Sequence, residues 1–303
     1  MRNYPFVLER LLNTPLLAHP DKATTVAGVV LRQAGMDVNI SVEGGVNEHR
    51  MGPVQETIMR RRVEMSGRKP FLFADGIAVI EVTGSLAHRQ WHLGKSSGVM
   101  GYDGIGAQLD SALEDPDVQG IMLDIHSAGG EVSGAFQLGD RIFEARQQKP
   151  IIAMADEMAF SAGYVLAAAA NEVWLASETA AVGSVGVVMV HFSFEQFLKA
   201  EGVKPTIIHA GAHKADGNPY EDLSEEVLAS FQEKIDAVYD VFVGRVARWR
   251  GLSEGEVRRT EANVFMGRSA VDVGLAEGVI APADAFTALA AESRASLPAR
   301  RAV

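Results

Sequence analysis

The chain contains Gly120-Ile-Met-Leu-Asp-Ile-His-Ser-Ala-Gly-Gly130, an apolar run that ends in a polar turn with two glycines. The run at 121–125 is typical of a buried strand, and the glycine pair permits a sharp turn before the helical pattern at about 132–147. Residues 150–155, Pro-Ile-Ile-Ala-Met-Ala, then predict the next buried strand. A strand, a helix and a second apolar strand in this order predict a crossover between parallel strands.

The same alternation extends in both directions from this unit. Upstream, a strand is expected at 77–82 and an amphipathic helix at 101–113. Downstream, we expect strands at 172–175, 185–190 and 205–209, and helices after Ser161, near 194–200 and from Ser224 onward. The last of these helices is predicted by apolar residues at helical spacing, which are Val227, Phe231, Ile235, Val238, Phe242 and Val246. The fold class is therefore α/β with a parallel sheet.

Three parts of the chain are predicted. Residues 1–68 form an N-terminal extension that is partly helical, with helical patches at 6–12 and 22–34. Residues 69–282 form the α/β domain, and residues 283–303 form a C-terminal helix and tail, rich in Ala, Arg and Ser.

Composition excludes several classes of protein. The 303 residues are 47% hydrophobic and 22% charged, which is ordinary for a globular protein. A formal net charge of -11 argues against nucleic-acid binding through a basic surface. No apolar run reaches the roughly 20 residues of a membrane helix or forms a secretory signal, and there is no cysteine. We therefore expect a cytoplasmic protein without a membrane span.

The candidate nucleophile is Ser161, which lies between a polar loop and the alanine-rich run Ala162-Gly-Tyr-Val-Leu-Ala-Ala-Ala-Ala170. The glycine turn at Gly129 and Gly130 can present backbone N–H groups to a developing oxyanion. Lys214 is the candidate general base, and a hydroxyl, an anion pocket and a lysine make up a Ser-Lys hydrolase. On spacing alone, a solvated loop residue is the favoured interpretation of Lys214.

The lysine has one physical requirement. An exposed lysine amine is almost wholly protonated at neutral pH and cannot accept the serine proton. Burial favours the neutral form, so the hypothesis requires Lys214 to be desolvated in the working site.

Four ordered motifs over roughly residues 75–280 resemble the signal peptide peptidase A family, the Ser-Lys peptidases of the Clp protease/crotonase superfamily. Ile125-His-Ser-Ala-Gly-Gly130 is similar to the family's Asn-Ser-Pro-Gly-Gly turn, and Phe160-Ser-Ala-Gly-Tyr164 to its nucleophile motif. Gly183-Ser-Val-Gly186 and Gly211-Ala-His-Lys214 are similar to its Gly-Ser-Ile-Gly segment and its lysine loop. The segment 264–277 resembles the family's closing segment. His126, Ala128 and Ala162 depart from the family pattern, but none of them removes a catalytic group.

The resemblance implies roles for these residues. Ser161 is the nucleophile and Lys214 the base, the N–H groups of Gly130 and Ala162 form the oxyanion hole, and Gly129 shapes the turn. Two roles are equally supported for the Ser184 hydroxyl: it orients the Lys214 amine, or it only forms a hydrogen bond with the backbone. The implied fold is a Clp/crotonase-like core of repeated β-β-α units, with a helical N-terminal extension and C-terminal helices.

The resemblance also implies an activity. The expected protein is an ATP-independent serine endopeptidase without a cofactor, a homo-oligomer of the phage head-maturation subgroup. Its polypeptide substrate would be a scaffold or capsid protein, and it would act in the host cytoplasm or the prohead.

Four alternatives stay open. One is a Ser-His-acid triad that uses His126 or His213 with Asp124, although neighbouring residues in an extended loop point in opposite directions. The others are a housekeeping protease similar to signal peptide peptidase, a crotonase-like acyl-CoA enzyme and a non-catalytic assembly or scaffold protein. The spacing of His and Asp supports no metal site.

Overall fold

The computed structural model describes residues 14–18, 69–89 and 98–295 of the chain. These residues fall into two compact units. The smaller unit contains residues 14–16 and 187–241, and the larger contains residues 17–18, 69–89, 98–186 and 242–295.

The strands, in chain order, are β1 (Leu16–Ala18), β2 (Leu72–Ala74), β3 (Ile77–Ala87), β4 (Val99–Gly101), β5 (Gly120–Glu131), β6 (Ile151–Phe160), β7 (Glu172–Leu175), β8 (Ala181–Gly183), β9 (Val264–Met266) and β10 (Gly278–Val279). The helices are α1 (Tyr102–Glu114), α2 (Ala135–Ala145), α3 (Ala162–Ala168), α4 (Glu195–Ala200), α5 (Glu225–Arg250), α6 (Glu254–Arg258), α7 (Arg268–Asp272) and α8 (Pro282–Ala295).

The sheet has the strand order β10-β7-β6-β5-β3-β2. Outside this order, β4 pairs with β3, β8 pairs with β6 and β9, and β1 pairs with β5. Strand β5 pairs in parallel with β3 on one side and with β6 on the other. Only the pairs β2–β3 and β8–β9 are antiparallel among the register-assigned pairs of the described strands. The predicted α/β class with a mainly parallel sheet is therefore confirmed, and β5 is a central strand.

Apolar side chains cover both faces of the sheet, as parallel strands require. On one face, Phe286 and Leu289 of α8 pack against Val79, Met122 and Met154 in a buried cluster. Every residue of α3 is buried, because its alanines let it pack closely against neighbouring elements. The Tyr164 hydroxyl, which is fully buried, donates a hydrogen bond to the Leu275 carbonyl at 2.8 Å. Burial of this kind fixes the start of α3, where Ser161 lies.

In the smaller unit, few side chains are buried. Backbone hydrogen bonds join Phe194 N–H to the Pro219 carbonyl at 2.7 Å, and Leu16 exchanges two hydrogen bonds with Val188. Helix α4 buries no residue. The exposed large apolar side chains of this unit are Phe197, Val203, Ile208, Tyr220, Leu228 and Val241. Helix α5 buries side chains only in its last part, from Phe242 onward.

Two strand predictions are wrong. Strand β8 ends at Gly183, and residues 185–190 contribute only an isolated bridge at Val188. Residues 205–209 form no strand, and Ile208 is 94% exposed. Apolar content alone suggested strands at both places, but a strand needs a hydrogen-bonded neighbour, and Pro205 lacks an N–H to donate. The predicted helical patches at 6–12 and 22–34 lie outside the described residues.

Helices in the described part of the chain are too short or too polar to cross a bilayer.

Candidate active site

Ser161 lies between the end of β6 and the start of α3, with φ 52° and ψ -113°. This left-handed conformation is unfavourable for a residue with a side chain and costs about 1–3 kcal/mol. Two backbone hydrogen bonds hold it: the Ser161 N–H donates to the Gly183 carbonyl at 2.9 Å, and the Val165 N–H donates to the Ser161 carbonyl at 2.9 Å. Such strain persists only where the surroundings impose it, and it is concentrated at functional sites.

The Ser161 side chain has no solvent exposure. Its hydroxyl lies 3.5 Å from the Gly186 carbonyl, at the outer limit of a hydrogen bond. A hydroxyl held this weakly loses little when it turns toward another acceptor.

Gly129 lies beside Ser161. Its φ is +105°, a region that L side chains rarely adopt. A Cβ atom at this position would lie 3.0 Å from the Ser161 Cβ and would collide with the Leu17 carbonyl. The space beside Gly129 that a side chain would need is therefore taken by the candidate nucleophile and by β1.

The predicted sharp turn at the glycine pair is wrong, because Gly129 and Gly130 lie inside β5, just after a register shift in its pairing with β6 between Ile125 and Ser127. We call this irregular stretch of β5, residues 127–130, the glycine turn.

The glycine turn is held by Ser127, which the sequence analysis did not assign. Its buried hydroxyl donates to the Gly84 carbonyl at 2.7 Å and accepts the Gly129 N–H at 3.1 Å. Gly163 of α3 packs on it, since a Cβ there would lie 3.2 Å from the Ser127 Cβ. One side chain thus connects β3, the turn of β5 and α3.

This arrangement bears on the oxyanion hole. Because the Gly129 N–H already donates to Ser127, it is committed to the turn rather than to a substrate. Gly130 lies beside Leu86 in the parallel pairing of β3 and β5, and a Cβ on it would collide with the Leu86 carbonyl. Ala162, buried, directly follows Ser161. The geometry is compatible with Gly130 and Ala162 as the N–H donors and Gly129 as the turn-former.

Buried carboxyl groups lie upstream of the turn. Asp124 of β5 is 4% exposed, and its Oδ1 atom has no hydrogen-bond partner among the described residues. Burial raises its pKa well above the usual range, and the charges of Asp156 and Glu81 add to this. Burial also raises the pKa of Asp156, an effect that His126 opposes. The fold therefore favours the protonated form of the Asp124 carboxyl group over the charged form.

His126 does not pair with Asp124. Its Nδ1 lies 2.7 Å from the Asp156 backbone carbonyl, to which it donates. A backbone carbonyl can orient the imidazole ring. It carries no negative charge, so it does not stabilise a protonated imidazole as the carboxylate of a catalytic triad does. This contact weighs against a triad of Ser161, His126 and Asp124.

Lys214 and His213 lie in the smaller unit. Lys214 is exposed, and its N–H donates to the Gly211 carbonyl at 3.2 Å. His213 is 80% exposed and contacts Asp216, with Nδ1 2.9 Å from Oδ2. The described residues therefore do not supply the desolvation that a lysine base requires, and the ring of His213 is directed to its own loop.

Ser184 lies in the larger unit, in a left-handed turn with φ 54°. Its N–H donates to the Asn263 carbonyl at 2.9 Å, and its carbonyl accepts the Gly186 N–H at 2.9 Å. These backbone contacts place it in the turn that also positions Gly186 near Ser161. Across the described ranges, no cluster of three or more His, Asp or Glu side chains is arranged to hold a metal ion.

Comparison with known proteins places this geometry in a family. The model of peptidase family S49 matches residues 144–296, a segment that includes Ser161, Ser184 and Lys214. The chain belongs to peptidase family S49. The resemblance to signal peptide peptidase A proteins is thereby confirmed. One relative in this group is a putative signal peptide peptidase of Enterococcus faecium, which is 28% identical over 62% of the chain and 55% of that protein.

Two relatives of this S49 chain come from phages. It is 39% identical to the head-tail preconnector protein GP5 of Enterobacteria phage P21, over 95% of the chain and 58% of that protein. It is 36% identical to the capsid assembly protease C of Escherichia phage lambda, over 99% of the chain and 68% of that protein. The chain thus spans less than two thirds of the first relative and about two thirds of the second.

Among solved structures, a mutant of the 1510-N membrane-bound stomatin-specific protease, in complex with a substrate peptide, is 16% identical to this S49 chain. The superposition has a TM-score of 0.44 and covers 68% of this chain and 75% of that one.

Two contributors to this S49 site were missed by sequence reasoning. Ser127 was quoted only as part of a motif, although its position two residues before Gly129 is the spacing at which a serine hydroxyl caps a turn N–H. Leu17 lies in the segment Asn13-Thr-Pro-Leu-Leu-Ala-His-Pro20, which resembles the leading segment of phage-type family members, but it was given no role in the site. Its signal was an apolar triplet bracketed by Pro15 and Pro20, which is typical of a short strand at a sheet edge.

Proposed function

We propose that this chain is a serine endopeptidase that cleaves protein substrates through an acyl-enzyme on Ser161, with Lys214 as general base. The observation that carries the proposal is the conformation of Ser161, held at φ 52° against the glycine backbone of Gly129. Strain at one buried serine, next to a glycine-rich backbone segment, is an arrangement that acyl transfer uses. Residues 69–282 are the proposed peptidase domain.

The chemistry follows from these groups. Neutral Lys214 accepts the Ser161 proton while Oγ attacks the scissile carbonyl carbon. The N–H groups of Gly130 and Ala162 stabilise the oxyanion. The C–N bond then breaks, the lysine ammonium returns its proton to the leaving amine, and a serine ester remains. Lys214 next takes a proton from water as the water oxygen attacks the ester carbonyl, and returns it to the Ser161 Oγ as the ester C–O bond breaks, which releases the carboxyl product. No cofactor takes part.

Lys214 must be shielded from water to act as a base, and we propose that the contact between copies in a homo-oligomer shields it. The exposed apolar residues of the smaller unit cluster in the same part of the sequence as Lys214, between Phe197 and Val241. Burying them against another copy would remove water from this unit. Light scattering of wild type beside Ile208→Glu tests this: an assembly that Ile208→Glu weakens supports the proposal, and a wild-type monomer contradicts it.

The substrate is proposed from the phage relatives. One of them carries the name of a capsid assembly protease, and the alignment covers 99% of this chain and 68% of that protein. We propose a scaffold or capsid protein as substrate, cleaved in the host cytoplasm or the prohead.

The experiment compares wild type with Ser161→Ala and Lys214→Ala, using cleavage of an unfolded protein and fluorophosphonate labelling. Ser111→Ala, in helix α1, and Lys204→Ala, an exposed lysine of the same unit as Lys214, are the matched controls. We expect each catalytic variant to lose at least about a thousandfold in cleavage rate. Full cleavage by Ser161→Ala would refute the mechanism, and full cleavage by Lys214→Ala would refute the lysine base.

A further inference from the structure

The candidate nucleophile is covered by the chain itself. Ser161 has no exposed surface, and Leu17 beside it is also fully buried. A Cβ on Gly129 would collide with the Leu17 carbonyl oxygen and would lie 3.0 Å from the Ser161 Cβ, so both residues occupy the space on the same side of Gly129. A scissile carbonyl must come within about 3 Å of both the nucleophile and the oxyanion donors. In this conformation, Leu17 stands in that approach.

The covering segment has the form of a bound peptide. Strand β1 is three residues long, Leu16-Leu17-Ala18, and it pairs with β5, the strand that carries the Gly129–Gly130 turn. Adding an extended segment to an existing strand is a common way for proteins to hold peptides, with backbone hydrogen bonds for affinity and side-chain pockets for selectivity. Leu16 and Leu17 are 3% and 0% exposed, so both aliphatic side chains are accommodated.

The segment is also suited to leave. Only three residues form the strand, and the proline at 15 and that at 20 cannot donate hydrogen bonds that would extend it. Short elements with few backbone hydrogen bonds open locally without unfolding the rest of a protein. The sheet from β2 to β10 does not depend on β1 for its order.

We propose that β1 is an internal blocking segment, which occupies the peptide position beside Gly129 and keeps Ser161 covered until a substrate displaces it. The proposal rests on the proposed peptidase function, because it assigns β1 to the substrate position of that site. It also names the chemistry of a competing substrate: an extended segment with two adjacent large aliphatic residues followed by alanine.

The first test measures whether β1 is seated, without using activity. The chain has no cysteine, so a single introduced thiol reports its own exposure. Full-length Leu17→Cys is compared with Ala107→Cys, at an exposed position of helix α1, in reaction with a disulfide reagent that releases a coloured thiolate. We expect the thiol at 17 to react at least about a hundredfold more slowly, because it reacts only from the open state. Rates within about threefold of each other would overturn the proposal.

The second test measures whether seating blocks Ser161. Fluorophosphonate labelling is compared in full-length wild type, Leu17→Lys and Leu17→Gly, with Ala107→Lys as the control at an exposed position of helix α1. We expect both Leu17 variants to label at least about tenfold faster than wild type and the control to match wild type. An unchanged rate in folded Leu17→Lys and Leu17→Gly would overturn the blocking role.

The two tests separate the possible failures. A protected thiol at 17 with no labelling in any variant would refute Ser161 as nucleophile, and the blocking role with it. A reactive thiol at 17 with normal Ser161 labelling would refute the blocking segment alone.

Discussion

The Ser127 hydroxyl accepts the Gly129 N–H at 3.1 Å while it donates to the Gly84 carbonyl at 2.7 Å. The turn that faces Ser161 is therefore held by a side chain of its own strand and attached to strand β3. We regard Ser127 as a positioning residue, because it acts on the reaction through Gly129 and Gly130.

Ser127→Ala should lower kcat by about 10- to 100-fold with little change in KM, because a small displacement of the turn misplaces the oxyanion donors. It should also lower the free energy of unfolding by about 1–3 kcal/mol, since it leaves the buried Gly129 N–H without its partner. Peptide-cleavage kinetics and urea unfolding measure the two effects. Ser111→Ala is the control. If Ser127→Ala loses the expected stability but keeps the wild-type kcat, Ser127 has only a structural role.

Gly129→Ala should abolish both cleavage and Ser161 labelling. The added Cβ would meet the Leu17 carbonyl and the Ser161 Cβ in a backbone conformation, φ +105°, that alanine adopts only with strain. Gly104→Ala is the matched control, since it lies in helix α1 with nothing within 4 Å of the new Cβ. That control should stabilise the protein by about 0.5–1 kcal/mol. A folded Gly129→Ala that labels at the wild-type rate would show that the turn tolerates a side chain.

Local pattern predicted the central elements well, because their signals are complete within a short stretch. The apolar runs at 121–125 and 150–155 became β5 and β6, and the alanine-rich segment after Ser161 became α3. The strand signal at 185–190 failed because apolar content does not reveal whether a neighbouring strand is present.

The candidate site was harder to predict in full, since its contacts are distant in sequence. Leu17 meets Gly129 across more than a hundred residues, and no spacing rule links an apolar triplet to a glycine turn. The exposure of Lys214 was equally hidden, because a motif gives the identity of a residue but not its solvation.

Asp124→Asn should stabilise the protein, and more so at pH 8 than at pH 5. The pKa of Asp124 is raised in the fold by burial, then by Asp156 and Glu81. The folded state therefore holds a proton that the unfolded state releases near pH 4, so the stability of the wild type falls as pH rises from there toward the folded pKa. Asparagine removes this dependence, so the stability of the variant relative to wild type should rise from pH 5 to pH 8.

Urea unfolding at the two pH values measures the Asp124 effect. Asp236→Asn is the control, because this exposed residue of α5 keeps its acceptor for the Gln232 amide, 2.7 Å away. A gain for Asp124→Asn that is the same at pH 5 and pH 8 would mean that the carboxyl does not titrate differently on folding.

Tyr164→Phe should lower the free energy of unfolding by about 1–3 kcal/mol, because it strands the buried Leu275 carbonyl that accepts the tyrosine O–H at 2.8 Å. Burial raises the pKa of Tyr164, so the hydroxyl stays protonated and the loss should be equal at pH 6 and pH 9. Tyr220→Phe, at a side chain 46% exposed, should change stability by less than about 0.5 kcal/mol. Because Tyr164 lies one turn after Ser161, fluorophosphonate labelling should slow in parallel. Wild-type stability and labelling in Tyr164→Phe would show that α3 holds the strained serine through its alanine packing alone.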